Sequence, residues 1–437
     1  GIAAVISLIV PIQMVSQTWD DHDRSGRYTC RDFGKNYLTS VDENGIIFTN
    51  GDNDTFPLWY AQETEGYRTD VRVCNLSYLQ TDWYVNQMKS QAYESDPLPI
   101  SMEELQYGNK KREYAYILDR VDYPVSVKMA MDYFLSDDER TKTIPGYGKI
   151  NHLPTGELFI DIDKEKILKS GIVPKGYEDK IVDRIDLSFK DKNTLILNDL
   201  AIIDLLSTNA ETGWKRPVYF ATTVDPSFFT ETDKYFMRTG MAYEVVPVKL
   251  ENTPGRYQVN TDKMYDNVMN KFVWGGIDVN PDIYLDETIR RMCYSYRIMF
   301  IDLIDQLIQE GKTDKALKAL DYCMEKIPGD VVPHNYISLQ LAMDYYFLKQ
   351  NEKGKALLEK IADSAIEYVT WINSLDNNKK RSVQRDYYYN ERALAEQAIP
   401  MFYRFGDEES GKKYLEKAAL AGVDINRYFK IDTSKTN

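Results

Sequence analysis

Short apolar runs alternate with amphipathic segments along residues 28–250. The apolar run at 45–49 predicts a buried strand, and a helix is predicted over 57–64, where Gly66 ends it. Further strands are predicted at 70–76, 156–162, 218–221 and 241–248. The last of these is predicted to be an edge strand, because Pro247 lacks a backbone N–H. Further helices are predicted at 82–88 and 194–207. Strands that alternate with helices form βαβ units. We therefore predict an α/β domain with a Rossmann-like, open and mainly parallel sheet over residues 28–250.

Residues 289–437 show a helical pattern throughout, and this pattern contains an internal repeat. Small and apolar residues recur at the spacing of a tetratricopeptide hairpin, at Gly311, Ala316, Leu320, Cys323 and Pro328. The spacing returns near Phe347 and again near Phe402. We predict an all-α, tetratricopeptide-like helical repeat domain here, in which Tyr387, Tyr388 and Tyr389 line a groove or, alternatively, pack into the core. Residues 251–288 have little periodicity and are predicted to be a linker or packing segment.

The N-terminal residues 1–27 form a third region. The stretch 2–15 is almost wholly apolar, and an acidic cluster follows Trp19. This stretch of fourteen residues is shorter than a bilayer span, so it is predicted to be the end of a transmembrane helix with Trp19 at the interface. A buried core helix is the alternative. The residues of the junction cluster are Asp20, Asp21, His22, Asp23 and Arg24.

The turn after the first strand is the leading candidate for a functional loop. In open α/β sheets, ligands bind beyond the carboxyl ends of the strands, which is the position of Asp52, Asn53, Asp54 and Thr55. Trp59 follows on the predicted helix. The alternative is that these residues only form the turn and cap the helix. This loop and the junction cluster both carry oxygen ligands of the kind that Ca²⁺ and Mg²⁺ prefer, but neither has EF-hand spacing, so no metal site is predicted.

Composition and motifs narrow the possible functions. The net charge of −14 argues against binding to nucleic acid and against electrostatic docking to anionic lipid. The four cysteines, Cys30, Cys74, Cys293 and Cys323, form no CxxC pair, and three of the four lie in apolar periodic segments and are expected to be buried thiols. Nucleotide-binding, serine-hydrolase and zinc-protease motifs are absent, and the three histidines are far apart in sequence. No catalytic residue can be assigned.

Four segments together resemble a known family. They are 19–25 (WDDHDRS), 50–60 (NGDNDTFPLWY), 70–76 (DVRVCNL) and 81–84 (TDWY). The chain resembles Bacteroidetes multi-spanning membrane proteins with a domain of unknown function, which are related to the vertebrate transmembrane protein O-mannosyltransferase acting on plexin-type receptors. The resemblance is strong over residues 19–90, weaker to about 225, and only repeat-like beyond 290.

The resemblance implies a role for a larger parent protein. In the polyprenyl-phosphate-sugar glycosyltransferases that this family resembles, a membrane domain binds the lipid-linked sugar and carries the catalytic acid. A soluble extracytoplasmic domain follows the last membrane helix. By this resemblance, the chain is an accessory module on the periplasmic side of the inner membrane, is anchored in its parent, and transfers no sugar alone. The chain itself would hold no cofactor, and a lipid-linked sugar would be the donor for the parent.

The expected partners follow from the same resemblance. They are the N-terminal membrane domain of the same polypeptide and an acceptor or partner protein bound by the helical repeats. The alternative is a non-catalytic periplasmic scaffold for protein interactions, because tetratricopeptide-like repeats commonly bind peptides. A soluble enzyme with a metal ion bound to the Asp-rich loop is a third hypothesis.

Overall fold

The computed structural model describes residues 1–146, 148–383 and 385–423, with the backbone alone at Asp20, Asp21 and 385–388. The chain divides into two compact units. We call Tyr28–Gly275 the sheet unit. The described residues of Gly1–Arg27 and Gly276–Asn437 form the other, which we call the helical unit.

The chain begins with two consecutive apolar helices, α1 (Ile2–Ser7) and α2 (Ile9–His22). Within them, the window Ile2–Trp19 has a mean hydropathy of 1.6, and none of it is buried within the chain. By length and composition this window can cross a membrane, a test that signal sequences also pass. These helices are exposed within the described chain, which disagrees with the alternative of a buried core helix, and the end of a transmembrane helix stays a prediction.

Fourteen short strands are described in the sheet unit. In chain order they are β1 (Ile46–Thr49), β2 (Arg72–Asn75), β3 (Tyr114–Ile117), β4 (Val125–Ser126), β5 (Thr143–Ile144), β6 (Gly148–Lys149), β7 (His152–Leu153), β8 (Glu157–Asp161), β9 (Arg184–Ser188), β10 (Thr194–Ile196), β11 (Val218–Ala221), β12 (Phe236–Arg238), β13 (Ala242–Val245) and β14 (Gln258–Val259). Six of these strands form the main sheet, in the order β14-β12-β13-β11-β1-β2. The rest form three small sheets, β10-β3-β7, β4-β8-β9 and β5-β6.

The main sheet is mixed. β1 runs parallel to β2 and to β11, with Ile46 opposite both Arg72 and Val218, whereas β13 is antiparallel to β11 and to β12. Parallel pairing thus occurs in the β11-β1-β2 part and again between β12 and β14, whereas β13 is antiparallel to both of its neighbours. The sheet is therefore mixed, and its Rossmann-like character stays a prediction. The prediction of an edge strand at 241–248 is wrong, since β13 has a neighbour on each side. Pro247 lies beyond the end of β13, so its missing N–H removes no ladder bond there.

Besides four short 3-10 helices, nine α-helices are described in the sheet unit. They are α3 (Thr29–Thr39), α4 (Asp52–Glu65), α5 (Asp82–Met88), α6 (Glu104–Tyr107), α7 (Val127–Leu135), α8 (Glu139–Lys142), α9 (Lys164–Ser170), α10 (Leu197–Glu211) and α11 (Thr261–Asp266). A π-helical turn, Asn267–Lys271, continues α11. β14 and α11 show that this unit extends past residue 250 to Gly275, into the segment expected to be a linker.

The two longest α-helices described in the sheet unit are α10 and α4. α10 is buried along almost its whole length, which agrees with its lack of a polar face. α4 packs closely on α3, where an added Cβ on Gly34 would lie 2.3 Å from the carbonyl oxygen of Pro57. Only glycine leaves room for this approach of two backbones. The α3–α4 pair therefore sets the position of the turn that follows β1.

The helical unit continues with α12 (Glu287–Gln309), α13 (Thr313–Lys326), α14 (Tyr336–Phe347), α15 (Asn351–Ser374), α16 (Asn377–Ser382), α17 (Arg385–Arg404) and α18 (Glu408–Leu420). Consecutive helices pack in pairs, α12 with α13, α14 with α15, and α17 with α18. Ala316, Leu320 and Cys323 of α13 are buried as the repeat spacing predicts, whereas Phe347 is exposed. The helical fold is confirmed, and the tetratricopeptide-like assignment stays a prediction.

Candidate functional site

The parallel strands β2, β1 and β11 bring three chain segments to one edge of the main sheet. β1 leads through α4 to β2 on one side, and β11, which follows α10, lies on the other side of β1. The order of strands therefore reverses between β1 and β11. Such a reversal, at the carboxyl ends of parallel strands, is the usual position of ligand sites in open α/β sheets. The segments that meet here begin at Asn50, Leu76 and Thr222.

Asp54 connects the ends of β1 and β11. Its Oδ1 accepts a hydrogen bond from the N–H of Gly51 at 2.8 Å, and its Oδ2 accepts from the N–H of Asn50 at 3.2 Å and from Thr223 Oγ1 at 2.8 Å. Burial raises the pKa of Asp54, and these hydrogen bonds oppose that change. The Tyr37 hydroxyl lies 3.1 Å from Thr223 Oγ1 and extends the network onto α3.

Thr55 connects β1 with β2 in a similar way. Its hydroxyl lies 2.7 Å from Thr49 Oγ1 and accepts a hydrogen bond from Asn75 Nδ2 at 2.9 Å. Asn75 Oδ1 in turn accepts from the N–H of Tyr78 at 3.0 Å. The polar groups of Thr55 and Asn75 are thus engaged inside the fold, where they hold the ends of two strands together.

Helix α4 begins earlier than predicted. Its N-cap is Gly51, and Asp54 occupies the third helical position, where its carboxylate accepts the N–H of Gly51 as in a capping box. Neither Asp54 nor Thr55 is the N-cap, and Pro57 lies inside the helix rather than in its first turn. Asp52 and Asn53 are exposed in that first turn. Of the candidate loop, these two residues and Trp59 are the ones that present side chains to solvent.

Four aromatic side chains form a row beside this loop. We call Phe56, Trp59, Tyr78 and Trp83 the aromatic row. The ring centroids of Phe56 and Trp59 are 5.7 Å apart, those of Trp59 and Tyr78 are 6.2 Å apart, and those of Tyr78 and Trp83 are 6.1 Å apart. Sequence reasoning selected only Trp59. Phe56 could have been found from its i, i+3 spacing to Trp59, which places both residues on one face of the helix. Tyr78 and Trp83 follow β2 in the chain, and they join the row only because β2 pairs in parallel with β1.

The junction cluster lies in the helical unit. Asp20 and Asp21 lie in the last turns of α2, and their side chains are outside the described residues. His22 is exposed, with Nδ1 2.8 Å from the carbonyl oxygen of Thr18. Asp23 accepts a hydrogen bond from the N–H of Ser25 at 2.8 Å, and hydrogen bonding by Ser25 lowers the pKa of Asp23. Arg24 is exposed.

The remaining candidates are placed as follows. Tyr387 and Tyr388 lie on α17, but their side chains are outside the described residues, and Tyr389 is exposed. Cys74, Cys293 and Cys323 are buried, as predicted, and burial raises the pKa of Cys293 to about 12. Among the described residues, no group of three or more His, Cys, Asp or Glu side chains is placed to hold a metal ion.

Residues 30–263 match the family described as TMEM260-associated domain 2. The chain belongs to this family. The match lies within the sheet unit and includes the candidate loop and the whole aromatic row. It confirms the relation to TMEM260, an O-mannosyltransferase-like membrane protein, and identifies the sheet unit as an accessory domain of a TMEM260-like protein. No curated protein and no solved structure matches the chain.

Proposed function

We propose that this chain is the extracytoplasmic accessory module of a polyprenyl-phosphate-sugar-dependent membrane glycosyltransferase of the protein O-mannosyltransferase type. The match of residues 30–263 to TMEM260-associated domain 2 carries this proposal. In it, the module binds the acceptor or a partner protein for its parent. The membrane domain of the parent binds the lipid-linked sugar and performs the transfer.

The candidate site supports a role in binding rather than in catalysis. Asp54, the buried carboxylate at the strand ends, has its two oxygens engaged by Asn50, Gly51 and Thr223. What the loop presents to solvent is the exposed pair Asp52 and Asn53 and the aromatic row. Aromatic rings with a few polar groups beside them are typical of surfaces that recognise a ligand.

The N-terminal helices support attachment to a membrane. The window Ile2–Trp19 is apolar and exposed, and Trp19 precedes the acidic junction cluster. An exposed apolar segment of this length is costly in water and is stabilised in a bilayer. In our proposal this segment joins the membrane domain of the parent, and the chain that follows it lies on the extracytoplasmic side.

Removal of residues 290–437 from the parent protein tests the role given to the helical unit. We expect acceptor glycosylation to fall while binding of the lipid-linked sugar persists, since the donor site belongs to the membrane domain. Glycosylation would be measured by mass spectrometry of the acceptor fraction, and donor binding by retention of a labelled lipid-linked sugar. Persistent donor binding also serves as the control for a folded membrane domain.

The same experiment addresses the alternative function, a non-catalytic periplasmic scaffold. The pairwise packing of α12 to α18 favours this alternative, because stacked helical pairs present extended surfaces to other proteins. Unchanged glycosylation after the deletion, together with loss of co-purifying envelope proteins, would contradict acceptor recruitment and support the scaffold.

A further inference from the structure

The aromatic row is unusually exposed for residues of its size. Phe56 and Trp83, the two ends of the row, are 46% and 54% exposed, and Tyr78 is 36% exposed. Trp59 between them is half-buried. Several large apolar side chains exposed together on one surface mark an interaction site more often than chance exposure does.

The core does not require this exposure. The elements that carry the row bury other side chains: Leu58 and Ala61 on α4, and Tyr84 and Val85 on α5. Tyr84 already supplies the aromatic ring that α5 contributes to the interior, and its hydroxyl accepts a hydrogen bond from the N–H of Asn75 at 3.0 Å. Trp83 is therefore available to a ligand.

The orientation of the rings distinguishes between kinds of ligand. The planes of Phe56 and Trp59 differ by 29°, those of Trp59 and Tyr78 by 17°, and those of Tyr78 and Trp83 by 44°. Three nearly parallel rings and a tilted fourth ring follow one another in an extended row, whereas a site for a small quaternary ammonium ion is a cage with walls on several sides. Because the row contains four rings, it suits an extended ligand with several flat faces.

Polar groups on the same surface are suited to hydroxyl groups. Asp52 and Asn53 are exposed one turn before Phe56 on the same face of α4. Ser77, which precedes Tyr78, is exposed and donates to the backbone and side-chain oxygens of Asn50, both at 3.1 Å. A carboxylate accepts hydrogen bonds, whereas amide and hydroxyl groups both donate and accept them. Together they provide the donors and acceptors that recognition of sugar hydroxyls requires.

The charge of these segments argues against anionic ligands. Residues 50–60 and 75–87 contain three aspartates and no lysine or arginine. A phosphate group or an anionic lipid headgroup would meet negative charge here without a cation to pair with it. A neutral ligand rich in hydroxyl groups meets no such penalty.

We propose that the aromatic row binds consecutive sugar rings of a neutral oligosaccharide. The C–H faces of the sugars would pack on Phe56, Trp59, Tyr78 and Trp83, because the electron-rich face of an aromatic ring attracts weakly positive C–H groups. Asp52, Asn53 and Ser77 would hydrogen-bond to the hydroxyl groups. The assignment of this glycan to the acceptor rests on the proposed function, whereas the binding of sugar itself does not.

Calorimetric titration of the full chain with neutral tetrasaccharides tests this proposal. The probes are mannotetraose, cellotetraose and maltotetraose, and the variants are Phe56→Ala, Trp83→Ala and the double variant. Both rings are exposed, so their removal should preserve the fold, which circular dichroism would verify. Trp371→Ala is the matched control, since Trp371 is 49% exposed in the helical unit.

We expect the unmodified chain and the Trp371→Ala control to bind at least one tetrasaccharide equally well. The double variant should bind it at least about tenfold more weakly. Absence of binding to all three probes, or unchanged binding by the double variant, would overturn the proposal. If a proline-rich peptide or phosphatidylcholine vesicles bind through the same rings while no sugar does, the row belongs to a protein or membrane contact instead. None of these results depends on transferase activity, so failure here leaves the proposed function intact.

Discussion

Two buried carboxylates, Asp54 in the sheet unit and Asp344 in the helical unit, differ in how fully they are hydrogen-bonded. In the sheet unit, Asp54 accepts three hydrogen bonds and connects two strand ends. In the helical unit, Asp344 of α14 is equally buried, but only its Oδ1 has a partner, Gln340 Nε2 at 2.8 Å. An unsatisfied buried carboxylate destabilises a fold when it is ionised.

The proton on Asp344 should therefore make stability depend on pH. Burial, and then the negative charge of Asp305, raise the pKa of Asp344 to about 7. The folded chain binds this proton more tightly than the unfolded chain, so its contribution to stability decreases as the pH rises from about 4 to about 7.

We predict that Asp344→Asn raises the free energy of unfolding at pH 8 by about 1–3 kcal/mol and changes this free energy little at pH 4. The amide keeps an oxygen for Gln340 and removes the buried charge. Thermal unfolding of the variant at several pH values measures the effect, with the exposed Asp330→Asn in the same unit as control. An unchanged slope of stability against pH in Asp344→Asn would contradict this account.

At the scale of elements, the close contact between α3 and α4 positions the candidate loop. Gly34 allows the two backbones to approach, and α4 then carries Asp52, Asn53, Phe56 and Trp59 to the end of β1. A side chain on Gly34 would meet backbone atoms of Pro57, which have no rotamer to change.

Gly34→Ala should lower the free energy of unfolding by about 1–3 kcal/mol. Gly51→Ala is a matched control on the same helix pair. Its Cβ would meet nothing closer than 3.7 Å, and its φ of −108° suits alanine, so it should cost at most about 1 kcal/mol. Urea denaturation measures both. If both variants lost the same free energy of unfolding, the close contact between α3 and α4 would not be the reason that position 34 requires glycine.

Local sequence patterns predicted the elements but not all of their relations. β1, β2, α10 and β11 occur close to where apolar periodicity placed them, because each is strongly buried. The start of α4 was missed, since its cap is Gly51 and the side chain that completes it lies three residues later. The interior position of β13 depends on pairing with β12 and β11, which no local pattern contains.

In the candidate site, too, local sequence patterns predicted some features, whereas others depend on how distant segments pair. The Asp-rich turn was visible in the sequence because Gly, Asn and Asp follow a buried strand. The link from Asp54 to Thr223 spans 169 positions, and the aromatic row joins residues from α4 to residues beyond β2. Such contacts arise from the topology of the sheet, so local sequence reasoning could not reach Tyr78 and Trp83.

At the scale of the whole molecule, the chain combines three features with one consistent explanation. It has an exposed apolar N-terminal window, a sheet unit that belongs to TMEM260-associated domain 2, and a helical unit of paired helices. A membrane glycosyltransferase whose accessory region recognises a glycan or its carrier would account for all three.

Fractionation of the source cells tests this account most directly. Membranes would be washed with carbonate and the fractions blotted with an antibody against this chain. We predict that the antibody detects a species heavier than the 50.8 kDa of this chain, and that this species remains in the washed membranes. A soluble species near 50.8 kDa would contradict the membrane glycosyltransferase account and leave the scaffold as the better explanation.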